Sequence, residues 1–154
     1  MGINSTKMSQ SLTKQYIHLV FSTKKRSDMI SKQHLAKVHA YVAGILNNIS
    51  CSAICVGGTP NHIHILYVQS KTITLSDTVR IVKTNSSKWI NENLYPFAWQ
   101  NGYGAFSVSR GHVELVANYI KNQEAHHSKT TYQDEFRRIC EKNDAQYDER
   151  YVWD

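Results

Sequence analysis

Only two prolines and seven glycines interrupt the 154 residues. That scarcity excludes a collagen-like chain and a chain built of flexible linkers. No apolar run approaches the roughly 20 residues of a membrane-spanning helix, so no membrane partner is expected. The phosphate-binding pattern Gly-x-x-x-x-Gly-Lys-Ser/Thr is missing, which removes the common nucleoside triphosphatase loop. Cysteine is also scarce. Cys51 and Cys55 lie in one apolar stretch, where an extended chain separates them by about 13 Å, too far for a bridge. Cys140 is left over, so all three read as reduced thiols, the state expected in the cytoplasm. Acidic residues are few as well: 12 against 18 lysines and arginines.

What is present fits a soluble folded domain. Hydrophobic residues make up 41% and charged residues 19%, and a chain of this length buries about 70% of its unfolded surface. Residues 1–13 are polar, without a signal-peptide core, and are expected to form a flexible extension before a single domain over 14–154. The charge of +6 is uneven: residues 1–133 carry a net +9 and residues 134–154 a net −3. A basic body of this kind suits a polyanionic partner, of which a phosphate backbone is the commonest.

Hydrophobic periodicity orders the chain into elements. Lys14 to Ser22 alternates and is rich in β-formers, predicting a first strand. After the basic loop Lys24-Lys25-Arg26, Ser31 is placed to cap a helix with an apolar stripe of Leu35, Val38, Val42, Ile45 and Ile49. Ser52 to Val56 and His62 to Val68 read as strands joined by a turn over Gly57 to Pro60. A second helix buries Leu75, Val79, Val82, Ser86 and Trp89. A loop from Tyr95 to Gly104 leads to a strand over Ala105 to Ser109. From Arg110 one helix is expected to run to about His127, followed from Thr131 by a short helix. The order βαββαβ predicts an α+β fold of the ferredoxin-like kind: an antiparallel sheet with both crossover helices on one face.

Two local patterns carry chemistry. In Asn61-His62-Ile63-His64-Ile65 the two histidines point to the same side of a strand, about 6.6 Å apart along it. Two imidazoles at that spacing can converge on one metal ion, while the isoleucines between them pack on the opposite side. In Tyr119-Ile120-Lys121-Asn122-Gln123, Tyr119 and Gln123 are four apart and share a helix face. Tyr119 lies about 110° from the centre of the stripe formed by Val113, Val116, Ala117 and Ile120. It is a border residue whose hydroxyl is left free.

Taken with Tyr16-Ile17-His18-Leu19-Val20-Phe21-Ser22, Ser86-Ser87-Lys88-Trp89 and Trp99-Gln100-Asn101-Gly102-Tyr103-Gly104, these patterns resemble the small single-tyrosine HUH transposases of the IS200-like superfamily. The likeness runs from about Lys14 to Cys140 in the family's order. It implies an RRM-like sheet with an additional C-terminal helix carrying the tyrosine. It also implies His62, His64 and Gln123 as ligands of Mg2+ or Mn2+, with Tyr119 as the nucleophile. The enzyme so implied is a homodimer that cuts and rejoins single-stranded DNA at insertion-sequence ends, recognises DNA hairpins and passes through a 5′-phosphotyrosine.

The basic residues suit such a substrate. Lys24, Lys25 and Arg26, with Arg80, Lys83 and Lys88, could track phosphates, and Trp99 and Tyr103 could stack on extruded bases. Two other classes stay open: a zinc-dependent hydrolase using Cys55, His62 and His64, and a catalytically silent nucleic-acid-binding module.

Overall fold

The computed structural model describes residues 9–154. Most of the expected extension, residues 1–8, lies outside the described residues, and residues 9–13 enter no helix or strand. Four strands, β1 (Tyr16–Ser22), β2 (Ala53–Thr59), β3 (His62–Val68) and β4 (Gly104–Val108), form one sheet in the order β2-β3-β1-β4. Every neighbouring pair is antiparallel. This is the sheet order that a ferredoxin-like βαββαβ chain produces, and β1 and β3 are its central strands.

Helices α1 (Leu35–Asn48) and α2 (Leu75–Asn93) close one face. Leu19 and Phe21 of β1 and Ile63, Ile65 and Tyr67 of β3 meet Val38, Val42, Leu46, Val79, Val82 and Ile90 there, all buried. Each such side chain contributes about 1.5–3 kcal/mol on leaving water. The intervening residues of the same strands, His18, Val20, His62 and His64, face the other way, with Val20 opposite His64 and Ser22 opposite His62 in the register.

That second face is also covered. Helices α3 (Val113–Lys121), α4 (Gln123–His127) and α5 (Tyr132–Lys142) lie over it, and Val20, Tyr132, Phe136 and Cys140 form a smaller apolar cluster there. Two glycines permit the close approach. A Cβ at Gly57 of β2 would sit 2.7 Å from the Ile120 carbonyl oxygen of α3, and one at Gly104 of β4 would sit 2.8 Å from the Phe136 ring of α5. The Thr131 hydroxyl caps α5 by accepting from the Asp134 N–H at 3.1 Å, as Thr74 caps α2 through Asp77.

Several boundaries differ from the sequence expectation. Gly57 and Gly58 belong to β2, so the hairpin turn shrinks to Pro60 and Asn61. Ser31 precedes a 3-10 turn over Lys32–His34 and makes no side-chain cap; its hydroxyl instead meets His34 Nδ1 at 2.6 Å. The single helix expected from Arg110 to His127 is a 3-10 turn, then α3, then α4. It breaks at Asn122 (φ −100°, ψ 22°), whose N–H is shared between the Asn118 and Tyr119 carbonyls.

Candidate active site

The site lies on the α3–α5 face, above the middle of the sheet. His62 and His64 are wholly buried there, with ring centroids 5.1 Å apart. β3 supplies both because side chains two apart on a strand share a face. Thr59 at the end of β2 and Asn61 in the turn hold His62 by its Nδ1, at 3.0 and 2.7 Å. His18, on the neighbouring strand, meets His64 Nδ1 through its Nε2 at 2.9 Å. Burial, and next the His64 ring, lower His18 to about 3; burial lowers His64 to about 4 against the opposing hydrogen bond and charge of Glu135. Both rings are therefore neutral.

The outer nitrogens of the pair point toward α4 and α5. His62 Nε2 lies 3.0 Å from Gln123 Oε1. His64 Nε2 lies 3.1 Å from Oε1 of Glu135, a residue of α5 that is 3% exposed. His127 Nε2 reaches the same oxygen at 2.9 Å. The other carboxylate oxygen, Oε2, accepts from Gln123 Nε2 at 3.0 Å and from the Tyr119 hydroxyl. Burial by itself would raise the Glu135 carboxyl, but hydrogen bonds from His127, His62 and His64 outweigh it and hold the group well below the usual carboxylate range. Tyr119 is shifted the opposite way: burial first, then the bond to Glu135, push its phenol above the ordinary tyrosine range.

Tyr119, Gln123, His62 and His64 thus meet within one chain. Tyr119 is half-buried at the border of α3, with its ring centroid 5.8 Å from that of His64 and 4.6 Å from that of His126. Gln123 reaches the same place although the helix breaks one residue before it.

His62, His127 and Glu135 bring ligand atoms within 4.8 Å of one another, close enough to hold a metal ion. The donor chemistry fits a cation. His127 Nδ1–H donates to the Thr130 carbonyl at 3.0 Å, which turns the ring's Nε2 toward the Glu135 oxygen. An outer hydrogen bond that fixes the tautomer is how metal-binding histidines are commonly oriented. The hydrolase set does not assemble, since Cys55 Sγ lies 3.7 Å from the Ala117 carbonyl oxygen of α3 and is not among the gathered ligands.

Glu135, His127, His126 and His18 were missed by sequence reasoning. A weak signal existed for His127, which is four residues after Gln123 and so on its helical face. Nothing local marks Glu135, one of several acidic residues in an amphipathic helix.

The expected DNA-contact residues divide into two groups. Lys24, Lys25 and Lys88 are exposed. Arg80 is 65% exposed, with Asp77 at 3.7 Å, and Tyr103 is 39% exposed. The expectation for Trp99 is corrected: its ring is 7% exposed, packs edge-on against Phe21 and Phe97, and donates Nε1–H to Ser86 at 2.9 Å, so it cannot stack on a base here. Lys83 donates to the carbonyls of Gln100, Asn101 and Gly102 at 2.7–3.0 Å, and burial lowers it to about 8. It therefore anchors a loop. Arg26 Nη1 donates to the Trp153 carbonyl at 3.0 Å, and its guanidinium lies over that ring.

A four-stranded antiparallel sheet of this order, with helices on both faces, is the fold of the tyrosine transposases. The family described as Transposase IS200 like matches residues 11–123, and the chain belongs to that family. No curated protein matches it. Among solved structures it is similar to a candidate transposase from Deinococcus radiodurans R1, with 18% identity, a TM-score of 0.60, and 75% of this chain and 98% of that one covered. It is also similar to a REP-associated tyrosine transposase bound to a REP hairpin, with 14% identity, a TM-score of 0.56, and 80% and 76% covered. At these identities the likeness speaks for the fold. No helix among the described residues is long and apolar enough to cross a membrane.

Proposed function

We propose that this transposase cuts and rejoins single-stranded DNA at insertion-sequence ends through a 5′-phosphotyrosine, and that it works in the cytoplasm. The observation that carries the reading is the meeting of the Tyr119 hydroxyl with the buried His62, His64, Gln123 and Glu135 side chains. Tyr119 Oη attacks the scissile phosphorus. The new P–O(Tyr) bond replaces the P–O3′ bond, the phenolic proton is released, and the departing 3′ oxygen takes up a proton. Reversal by a second 3′-OH reseals the strand and frees the tyrosine, so bond energy is conserved without a nucleoside triphosphate.

A divalent ion, Mg2+ or Mn2+, held by His62, His64 and Gln123, would supply Lewis-acid stabilisation of the phosphate and the leaving oxygen. The chain's own residues do the rest. The buried histidines would hold their nitrogens as ligands, Thr59 and Asn61 fix the His62 ring, and α3 holds the phenol beside them.

A hairpin ligand is supported by the REP hairpin bound to the structural neighbour and by the basic body. Of the basic residues expected to contact DNA, Lys24, Lys25, Arg80 and Lys88 are exposed and available to phosphates. A groove of about 420 Å3 lined by Arg80, Ser87, Gln100 and Tyr103 can receive an extruded base. A homodimer joined through a sheet edge belongs to the same reading, with β2 and β4 as the edge strands; the tyrosine and histidines already meet in one chain.

The test is incubation of the protein with labelled single-stranded hairpin DNA and Mg2+ or Mn2+. A denaturant-stable adduct that a chelator abolishes is expected. Hydrolysis without an adduct would make the protein a hydrolase, and retarded migration alone would make it a silent binder.

A further inference from the structure

The family match ends at Gln123, yet the hub of the site is contributed by α5, beyond that end. Glu135 divides its two oxygens between different tasks. Oε1 faces three imidazole nitrogens, His127 at 2.9 Å, His64 at 3.1 Å and His62 at 3.5 Å. Oε2 faces the nucleophile and the carboxamide, Tyr119 and Gln123. Among the described residues its ion-pair partners are histidines alone, without a lysine or arginine.

A buried carboxylate in that position is costly unless a cation compensates it. The ring orientations point the same way. His127 uses its Nδ1–H on the Thr130 carbonyl, and the His62 Nδ1 faces Asn61 Oδ1 at 2.7 Å. Ligand atoms of both rings and of Glu135 lie within 4.8 Å of one another, a grouping that one cation can bridge.

We propose that Glu135 couples the nucleophile to the metal ion: Oε1 joins the ion's ligands while Oε2 orients the Tyr119 hydroxyl. The proposal rests on the tyrosine-transposase reading above. It makes the C-terminal extension part of the site and Glu135 a positioning residue of this chain. One rigid carboxylate then ties the phenol, the carboxamide of Gln123 and the ion into a single geometry.

The test uses the full chain and its Glu135→Gln and Glu135→Ala variants. Mn2+ binding is measured by titration calorimetry, Co2+-loaded protein by visible absorption, and adduct formation in single turnover at saturating Mn2+. For Glu135→Gln, Mn2+ affinity is expected to fall at least about 10-fold, as for loss of a ligand or its direct support, and the Co2+ spectrum to shift. At saturating Mn2+ the adduct is expected to form at least about 10-fold more slowly, with hairpin affinity unchanged, because the phenol has lost its guide. Unchanged Mn2+ affinity and an unchanged Co2+ spectrum would overturn the proposal. So would full recovery of the rate at saturating metal, which would leave Glu135 a ligand without a positioning role. Faster adduct formation with tighter hairpin binding would overturn it too, by making the carboxylate a plug in the place of the scissile phosphate. Should Glu135→Ala fail to fold, the isosteric Glu135→Gln decides alone. Wild-type protein that binds Mn2+ in a Glu135-dependent way yet forms no adduct would sink the transposition chemistry while leaving the ligand assignment standing.

Discussion

The two faces of one sheet are built by different rules, although alternate residues of the same two strands make both. Toward α1 and α2, β1 and β3 present Leu19, Phe21, Ile63, Ile65 and Tyr67 to an apolar core, crossed by a few buried hydrogen bonds such as Tyr67–Gln69–Thr78. Toward α3, α4 and α5 they present His18, Val20, His62 and His64, joined by Gln123 and Glu135, all buried. The first face supplies most of the folding energy through apolar burial. The second holds a polar network worth little net stability, and it is tolerable because the first face is strong. Stability and chemistry are separated by the strand's period of two.

The largest expected effect tests the chemical face alone. Tyr119→Phe should lower adduct formation by at least about 10³-fold, since no second nucleophile stands at that position. Its thermal midpoint and Mn2+ affinity should stay near wild type. A midpoint that drops with the activity would mean that the phenol is a packing element. Next is the structural face. Ile65→Ala should cost about 2–5 kcal/mol in urea unfolding, while the protein that remains folded should bind Mn2+ as before. A selective loss of metal affinity in Ile65→Ala would show that the faces are not separable.

Acid provides a third probe. His39 on α1 is lowered to about 4, by burial first and then by the His62 ring, and its Nε2 has no hydrogen-bond partner among the described residues. Its folded value lies below the ordinary 6.5, so the unfolded chain binds more protons between these values. Stability should therefore fall as pH drops below 6.5, down to about 4. The contribution at pH 5 is about 2 kcal/mol. Urea midpoints of wild type and His39→Gln at pH 7 and pH 5 check this, the variant losing less on acidification. His18 and His64 act with the same sign, so the variant should retain part of the slope. Equal losses in the two proteins would place all the acid sensitivity on the histidine face.

How much of this was legible in the sequence follows from the same division. Local patterns carry β1, β3, α1 and α2, because alternation and helical stripes report a one-sided apolar core directly. They also carry His62 and His64 as a pair, because spacing along a strand determines which side chains share a face, whereas Tyr119 and Gln123, expected on one helix, meet across the break at Asn122. They do not carry Glu135 or His127, whose roles depend on α5 folding back over the sheet. An amphipathic pattern reports that α5 buries a face without naming the surface it lands on. Burial of Trp99 and Lys83 was hidden for a related reason. Both sit in or against the Tyr95–Gly104 loop, and only the packing of that loop on Phe21 and α2 decides whether its aromatic and basic groups face solvent.

The smallest effect sharpens the comparison most. The cover of the histidine face is fastened at its far end by Arg26, whose guanidinium lies 5.7 Å from the Trp153 ring, with Arg137 at 5.1 Å from the same ring. The backbone carbonyl of Asp154 also accepts from the Gly102 N–H at 2.7 Å. If the two faces are energetically distinct, α5 and the tail should open before the α1–α2 face does, as a sub-global unit. Arg26→Ala should then lower that opening free energy by about 1 kcal/mol, the value of a cation–π contact with its hydrogen bond. The change should speed amide exchange in residues 132–154 several-fold while leaving β1, β3 and α1 at the global rate. Lys25→Ala, one residue away and exposed, should leave all of these rates alone and reduce only the salt dependence of hairpin binding. Exchange of both faces through one shared opening, shifted equally by Arg26→Ala, would show the sheet to be a single cooperative layer and dissolve the distinction between its sides.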